Sequence, residues 1–320
     1  MDFTHEFSLP EAQDDVLFAD MVLRLRYPDK PVDIVIDTDA FNEVDDQFAI
    51  IYALASSDKL HLKAILAAPF QNHNAPSPEE GMYRSFDEIQ KILQLSGYNN
   101  YSKRVFHGAT CYIPDENTPL ESDAVHELIR IAMEHSRENP LYVVCIAAPT
   151  NVASAILMKP EICDRIVVIW SGGVSLGWPN CQCFNGGQSV AASRVLLGAN
   201  VPIVLAPGRA MADRLLTTGP ELSFWLDGKN DFCTYIVQKV IREAETCNAG
   251  KVWSRPLTDV VPIGWLTGGH RFMLDRFEQR PMIEYDRYYS FDPRRPMMRY
   301  VYYIKRDELL EDLFEKLSNL

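Results

Sequence analysis

The run Val32-Asp33-Ile34-Val35-Ile36-Asp37-Thr38-Asp39-Ala40-Phe41-Asn42-Glu43-Val44-Asp45-Asp46-Gln47 passes from an apolar strand, through a crowd of acids, into a helix. Its first half is a short β-branched stretch of the kind that is buried on both faces of a parallel sheet. Its second half holds four aspartates and one glutamate within ten residues, 37–46. In open α/β sheets ligands bind beyond the carboxyl ends of the strands, where these acids sit. Clustered carboxylates repel one another unless a cation or shared protons offset them. Oxygen ligands at this density suit Ca²⁺ or Mg²⁺, and a carboxylate kept off the metal can act as a base. The plain alternative is that Asp45 or Asp46 only complements the start of a helix. That accounts for one or two acids, not five beside an apolar strand.

Outward from this run, strand-like and helix-like segments alternate. Asp45–Ala55 reads as a helix and Leu60–Ala68 as a second strand. Met82, Phe86, Ile89, Ile92 and Leu93 recur at helical spacing, as do Val125, Leu128, Ile129 and Ala132. Leu141–Ala147, Ile166–Trp170 and Val201–Leu205 are further buried strands. The rhythm predicts an α/β fold, with a mostly parallel central sheet covered by helices on both faces. After Pro207 the pattern predicts additional helices (Glu221–Leu226, Phe232–Glu245, Pro262–Leu266) and short strands (Met282–Tyr285, Met298–Ile304) in the C-terminal third. A last helix spans Asp307–Leu317. No clean boundary interrupts residues 1–320, so a single domain is expected, with 1–31 as an N-terminal extension over the surface.

The 320 residues carry 31 basic and 44 acidic side chains, a net charge of −13. Such a surface argues against nucleic acid or an anionic membrane as partner. No apolar stretch approaches the roughly 20 residues of a membrane span, and the start shows no secretory pattern. Seven scattered cysteines, an odd number, read as reduced thiols of a cytoplasmic protein. Cys181-x-Cys183 is too tight for the usual zinc pair. Ser171-Gly172-Gly173 lacks dinucleotide spacing, and neither a phosphate-binding P-loop nor a G-x-S-x-G elbow is present.

The acidic run resembles the signature of the nucleoside hydrolase family of the inosine–uridine preferring type, in a divergent branch reading D-T-D-x-F-N-E-x-D-D-Q. Ala67-Ala68-Pro69-Phe70-Gln71-Asn72, Ala148-Pro149-Thr150-Asn151, Ser171-Gly172-Gly173, Phe184-Asn185 and Thr258-Asp259-Val260 follow in that family's order. The resemblance implies a calcium-dependent N-ribosyl hydrolase acting on a small-molecule ribonucleoside or related N-riboside. It implies Ca²⁺ ligands at Asp39, Asp46, Asp259 and the Thr150 carbonyl, and Asp45 as general base on a metal-bound water. Asp37 would support them, and Asn72, Asn180 and Asn185 would hold the riboside. Relatives are often dimers or tetramers, so a homo-oligomer stays open. Each position also has a structural alternative: Thr150, Asn151 and Asp259 as helix caps, Asn185 as a turn residue.

Two positions depart from the family. Its Glu-Phe-Asn is Cys183-Phe184-Asn185 here, which replaces a charged acceptor with a weak one. The His or Trp before the last aspartate is Thr258, which cannot protonate a leaving base. His73, following Asn72, is the candidate substitute, and Phe70, Trp178 and Phe184 are candidates for a base pocket. Three expectations follow: a riboside hydrolase of shifted specificity, a catalytically degenerate calcium-dependent riboside-binding protein, or a haloacid-dehalogenase-type phosphatase suggested by Asp37-x-Asp39. The last is disfavoured by Phe41 where that family needs Thr or Val.

Overall fold

A computed structural model describes residues 19–248 and 250–320. Residues 1–18 of the expected N-terminal extension lie outside the described residues. In the remainder of it Leu25 is fully buried, Arg24 donates to the carbonyls of Cys163 and Ile166, and Tyr27 packs against Trp265.

Six parallel strands, β1 (Val32–Thr38), β2 (Leu60–Ala67), β3 (Val105–His107), β4 (Leu141–Cys145), β5 (Ile166–Ser171) and β6 (Ile203–Ala206), form most of an eight-stranded sheet. They lie in the order β3-β2-β1-β4-β5-β6, so the chain winds outward from β1 in one direction and then in the other. The crevice between β1 and β4 is the switch point of such a sheet, the place where ligands bind. Register agrees: Asp37 pairs with Leu66 on one side and with Cys145 on the other.

The β1 strand shows why both faces are covered. Ile34 and Ile36 belong to one buried core, and Val35 to the other. Successive side chains of a strand point to opposite faces, so an unbroken apolar strand demands helices on each. The helix Asp45–Ala55 follows β1 and supplies Phe48, Ile51 and Tyr52 to the first core, and Asp123–Met133 supplies Val125 and Leu128 to the second.

Past β6 the sheet gains Met297–Ile304, parallel to it, and then Met273–Gln279, antiparallel at the edge. The edge strand is absent from the sequence reading. Its residues Asp275, Arg276 and Glu278 interrupt any apolar run, and charges on an edge are a common defence against pairing with another chain. A two-residue ribbon, Leu216–Thr217 with Arg255–Pro256, delivers the following helix Val260–Gly268, which is almost wholly buried beside Asp45–Ala55.

Candidate functional site

Several loops meet above the β1/β4 crevice. The first, 39–44, is short and closed on itself: the Asn42 amide donates to the Asp39 carbonyl at 2.7 Å. Gln47, fully buried one turn into the next helix, donates Nε2 to the Ala40 carbonyl at 2.7 Å and to Glu88 at 3.1 Å. Gln47 therefore sets the path of the acidic loop. Gln47→Leu orphans a buried carbonyl, which costs about 1–3 kcal/mol. Calorimetry should register a melting temperature lowered by roughly several degrees in a chain of this size; an unchanged melting curve would remove Gln47 from this role.

The helix Asp45–Ala55 starts at Val44, which makes no side-chain cap, and Val260–Gly268 starts at Asp259, whose side chain caps nothing either. The acids are turned towards one another instead. One oxygen from each of Asp45, Asp46 and Asp259 falls in a group whose members lie within 4.8 Å of one another. Asp46 accepts from the Thr38 hydroxyl, and Asp45 accepts the Asp259 amide at 3.3 Å. Asp39 stands beside this trio rather than within it, and its Oδ2 is buried without a hydrogen-bond partner. All four are at most 6% exposed, yet among the described residues no Lys or Arg forms an ion pair with any of them.

The electrostatic consequence is a shared upward pressure on the carboxyl pKa values. Burial acts first on each; Asp39 then feels Asp46 and Asp45, Asp46 feels Asp45, and Asp259 feels all three. Asp45 is pushed up to about 7, by burial and then by Glu43. Two helix N-termini pointing at the cluster offset only part of this repulsion.

The cluster opens into a cavity of about 320 Å³, lined by Asp39, Asn42, Glu43, Asp45 and Asp259 on one side. Cys183, Phe184, Asn185, Arg209, Asp213 and Thr258 line the other. Larger hollows exist on the surface, but they lie away from these acids.

The remaining expected residues separate into those that reach the cavity and those that stand behind it. Asn185 reaches it, with Nδ2 fixed to the carbonyls of Ile146 and Ser171 at 3.1 and 2.8 Å. Asp37 does not line it; fully buried, it accepts from Asn151 at 2.8 Å and from the Cys145 thiol, and burial lifts it to about 7. Asn72 also stands back, donating at 2.7 Å to Asn42, which does line the cavity. Asn180 closes a turn onto the Gln182 amide at 3.1 Å. Thr150 is buried at the start of the helix Thr150–Met158, with an unpartnered hydroxyl. His73 is exposed in a turn between Asn72 and Ala75 and is not a wall residue. Of the aromatic candidates only Phe184 lines the cavity; Phe70 is core and Trp178 is half-exposed.

Cys183 is held differently from a free acceptor. Its sulfur takes the amides of Gly173 and Gly186 at 3.0 and 3.2 Å. A Cβ on Gly186 would lie 2.7 Å from that sulfur, so glycine is needed for this approach. Arg209, Asp213 and Asn42 were not singled out in the sequence. Arg209 is preceded by Pro207-Gly208 and followed by Ala210 at φ +64°, a turn chemistry that marks the loop but not its position over the site.

A family model described as inosine-uridine preferring nucleoside hydrolase matches residues 34–287. Among solved structures, a plant nucleoside hydrolase is 16% identical with a TM-score of 0.71, covering 91% of this chain and 100% of that one. A purine-preferring ribonucleoside hydrolase from Gardnerella vaginalis is 17% identical with a TM-score of 0.71, covering 90% and 98%. The type III effector protein XopQ, solved with adenosine diphosphate ribose, is 12% identical with a TM-score of 0.66, covering 96% and 98%. No curated protein matches the chain.

Proposed function

The chain belongs to the inosine-uridine preferring nucleoside hydrolase family, a family of N-ribosyl hydrolase enzymes, and from that premise we propose a specific site chemistry. It hydrolyses the N-glycosidic bond of a ribonucleoside or related N-riboside with one Ca²⁺ and with Asp45 as base. The convergence of Asp45, Asp46 and Asp259, with Asp45 and Asp259 lining the cavity and Asp46 buried beside them, carries this reading. The residues fit a hard cation. The donors are all oxygen, no Lys or Arg among the described residues forms an ion pair with them although Arg255 acts on Asp45 from further off, and the Asp39 Oδ2 is unpartnered. Asp39, Asp46, Asp259 and the Thr150 carbonyl would hold the ion. Bound there, it supplies positive charge that neutralises the acids and fixes vicinal hydroxyls.

The protein groups then divide the work. Asp45, kept in place by the Asp259 amide, receives the proton of the attacking water. Asn185 and Asn42 present amide groups to the sugar, Asn42 with its own orientation set by Asn72. Thr258 borders the cavity where the family carries an aromatic or a proton donor, and it donates no proton to a leaving base. We place all of this in one domain over residues 1–320. No helix among the described residues is long and apolar enough to cross a membrane, and all seven cysteines are free, which suits a reducing cytoplasm.

Calcium addition tests the metal. At a hundredfold excess over its dissociation constant it should stabilise the fold by about 2.7 kcal/mol, read as a higher melting temperature than in chelator. No shift would defeat the assignment. The same samples, offered a panel of ribosides, separate turnover from the second reading. That reading, a calcium-dependent riboside binder, is favoured by Cys183 and Thr258 and gives binding without release of free base.

A further inference from the structure

Cys181 and Cys183 sit on either side of Gln182 in a tight turn that the riboside chemistry leaves unused. The Cys183 amide donates to the Cys181 carbonyl at 3.1 Å, closing a three-residue turn that draws residues i and i+2 together. A disulfide needs Cα atoms about 4.4–6.8 Å apart, a separation such a turn provides. Arg209 Nη1 pins the turn by donating to the Gln182 carbonyl at 3.2 Å, and the Tyr289 hydroxyl, bonded to both backbone groups of Val174, rests against Cys181.

The two sulfurs are unlike. Both are buried, but Cys183, 9% exposed, borders the cavity and its sulfur accepts two glycine amides, whereas Cys181 is fully buried and does not reach the cavity. The Cys181 thiol donating to it lowers the Cys183 pKa, the two amides and nearby Arg209 adding to this, while Cys181 is raised by the same partnership. Thiolate character and access mark a cysteine that oxidants attack.

We propose that Cys181 and Cys183 are a hydroperoxide-sensitive thiol pair in the cavity wall, Cys183 attacking and Cys181 resolving. The Cys183 sulfur attacks the terminal oxygen of a hydroperoxide and displaces the alkoxide (hydroxide when the oxidant is hydrogen peroxide), which leaves with the Cys183 proton. An S–O bond forms, the O–O bond breaks, and sulfur is oxidised by two electrons to a sulfenic acid. Cys181 then attacks that sulfur; the S–S bond forms, and the sulfenic hydroxyl leaves with the Cys181 proton as water. With hydrogen peroxide, two thiols and one peroxide give one disulfide and two waters. Linking the sulfurs turns Cys183 away from the Gly173 and Gly186 amides and reshapes the wall of the cavity. The thiol chemistry does not depend on the protein being a hydrolase; only its effect on riboside binding rests on that reading.

The test treats the full chain with hydrogen peroxide, blocks remaining thiols with iodoacetamide, and maps peptides by mass. The expected result is loss of two thiols, with a mass two hydrogens lower on the peptide holding Cys181 and Cys183, restored by dithiothreitol. This should precede oxidation of the exposed Cys111 and Cys247. Cys181→Ser should stop at a Cys183 sulfenic acid that dimedone traps, and Cys181→Ala provides the same arm if the serine variant folds poorly. Oxidation confined to Cys111 and Cys247, or a Cys183 driven to sulfinic acid in the wild-type chain with no disulfide, overturns the proposal. Inosine binding by calorimetry before and after peroxide gives the functional arm. If the disulfide forms and neither inosine nor any other riboside of the panel binds, the thiol pair stands and the riboside reading falls.

Discussion

Asp45→Asn is expected to lower kcat by about 10²–10⁴-fold, the usual loss when a general base is removed, with calcium affinity little changed. The substitution keeps an oxygen that can accept the Asp259 amide, so the local geometry has a reason to survive. Its neighbour provides the contrast. Asp46 accepts from the Thr38 hydroxyl and feels the charges of Asp45 and Asp39, so its charge is what it would bring to the ion. Asp46→Asn should therefore abolish the calcium-induced rise in melting temperature and take activity with it. Titration of calcium into both variants, beside steady-state rates, decides the matter. Because Asp45 belongs to the same tight trio as Asp46 and Asp259, loss of calcium binding in Asp45→Asn would make it a ligand and leave the base unassigned.

A second large effect concerns the leaving group. Thr258 stands in the cavity wall, and the titratable residues lining it are Asp39, Glu43, Asp45, Cys183, Arg209, Asp213 and Asp259. None is a histidine. A purine such as hypoxanthine leaves poorly without a proton, and general acid catalysis supplies about 10²–10⁴-fold when an acid is present. A pyridinium riboside such as nicotinamide riboside needs no such help, because its base departs neutral. Its kcat/KM is expected to exceed that of inosine by a factor in this range. Equal rates for the two, measured by base release, would show that another group delivers the proton.

Much of this was readable before any coordinates. Ile34, Val35 and Ile36 can satisfy both faces only inside a doubly covered sheet, and the acids after them mark its ligand-binding edge. Helix Asp45–Ala55 was legible to the residue, since its apolar spacing starts where the acids end. The edge strand Met273–Gln279 was not, because its pairing is settled by a partner, Met297–Ile304, and not by its own charged pattern. His73 shows the limit of proximity in sequence: it follows Asn72, yet the turn that carries it faces solvent.

By itself the sequence determined the α/β class, the place of the acidic cluster at a strand end, and the chemistry its oxygens suit. Those are local properties: periodicity, charge density and ligand type are written within a dozen neighbouring residues. Tertiary structure decided which acids touch. Asp259 comes from 214 residues beyond Asp45 to donate its amide to it, carried by a buried helix whose packing no local pattern encodes. It also decided that Arg209 and Asp213 join the cavity, that Asp37 and Asn72 stand behind it, and that two glycine amides hold the Cys183 sulfur. Contacts between distant segments depend on how whole layers pack, and only the folded sheet and its helices specify that.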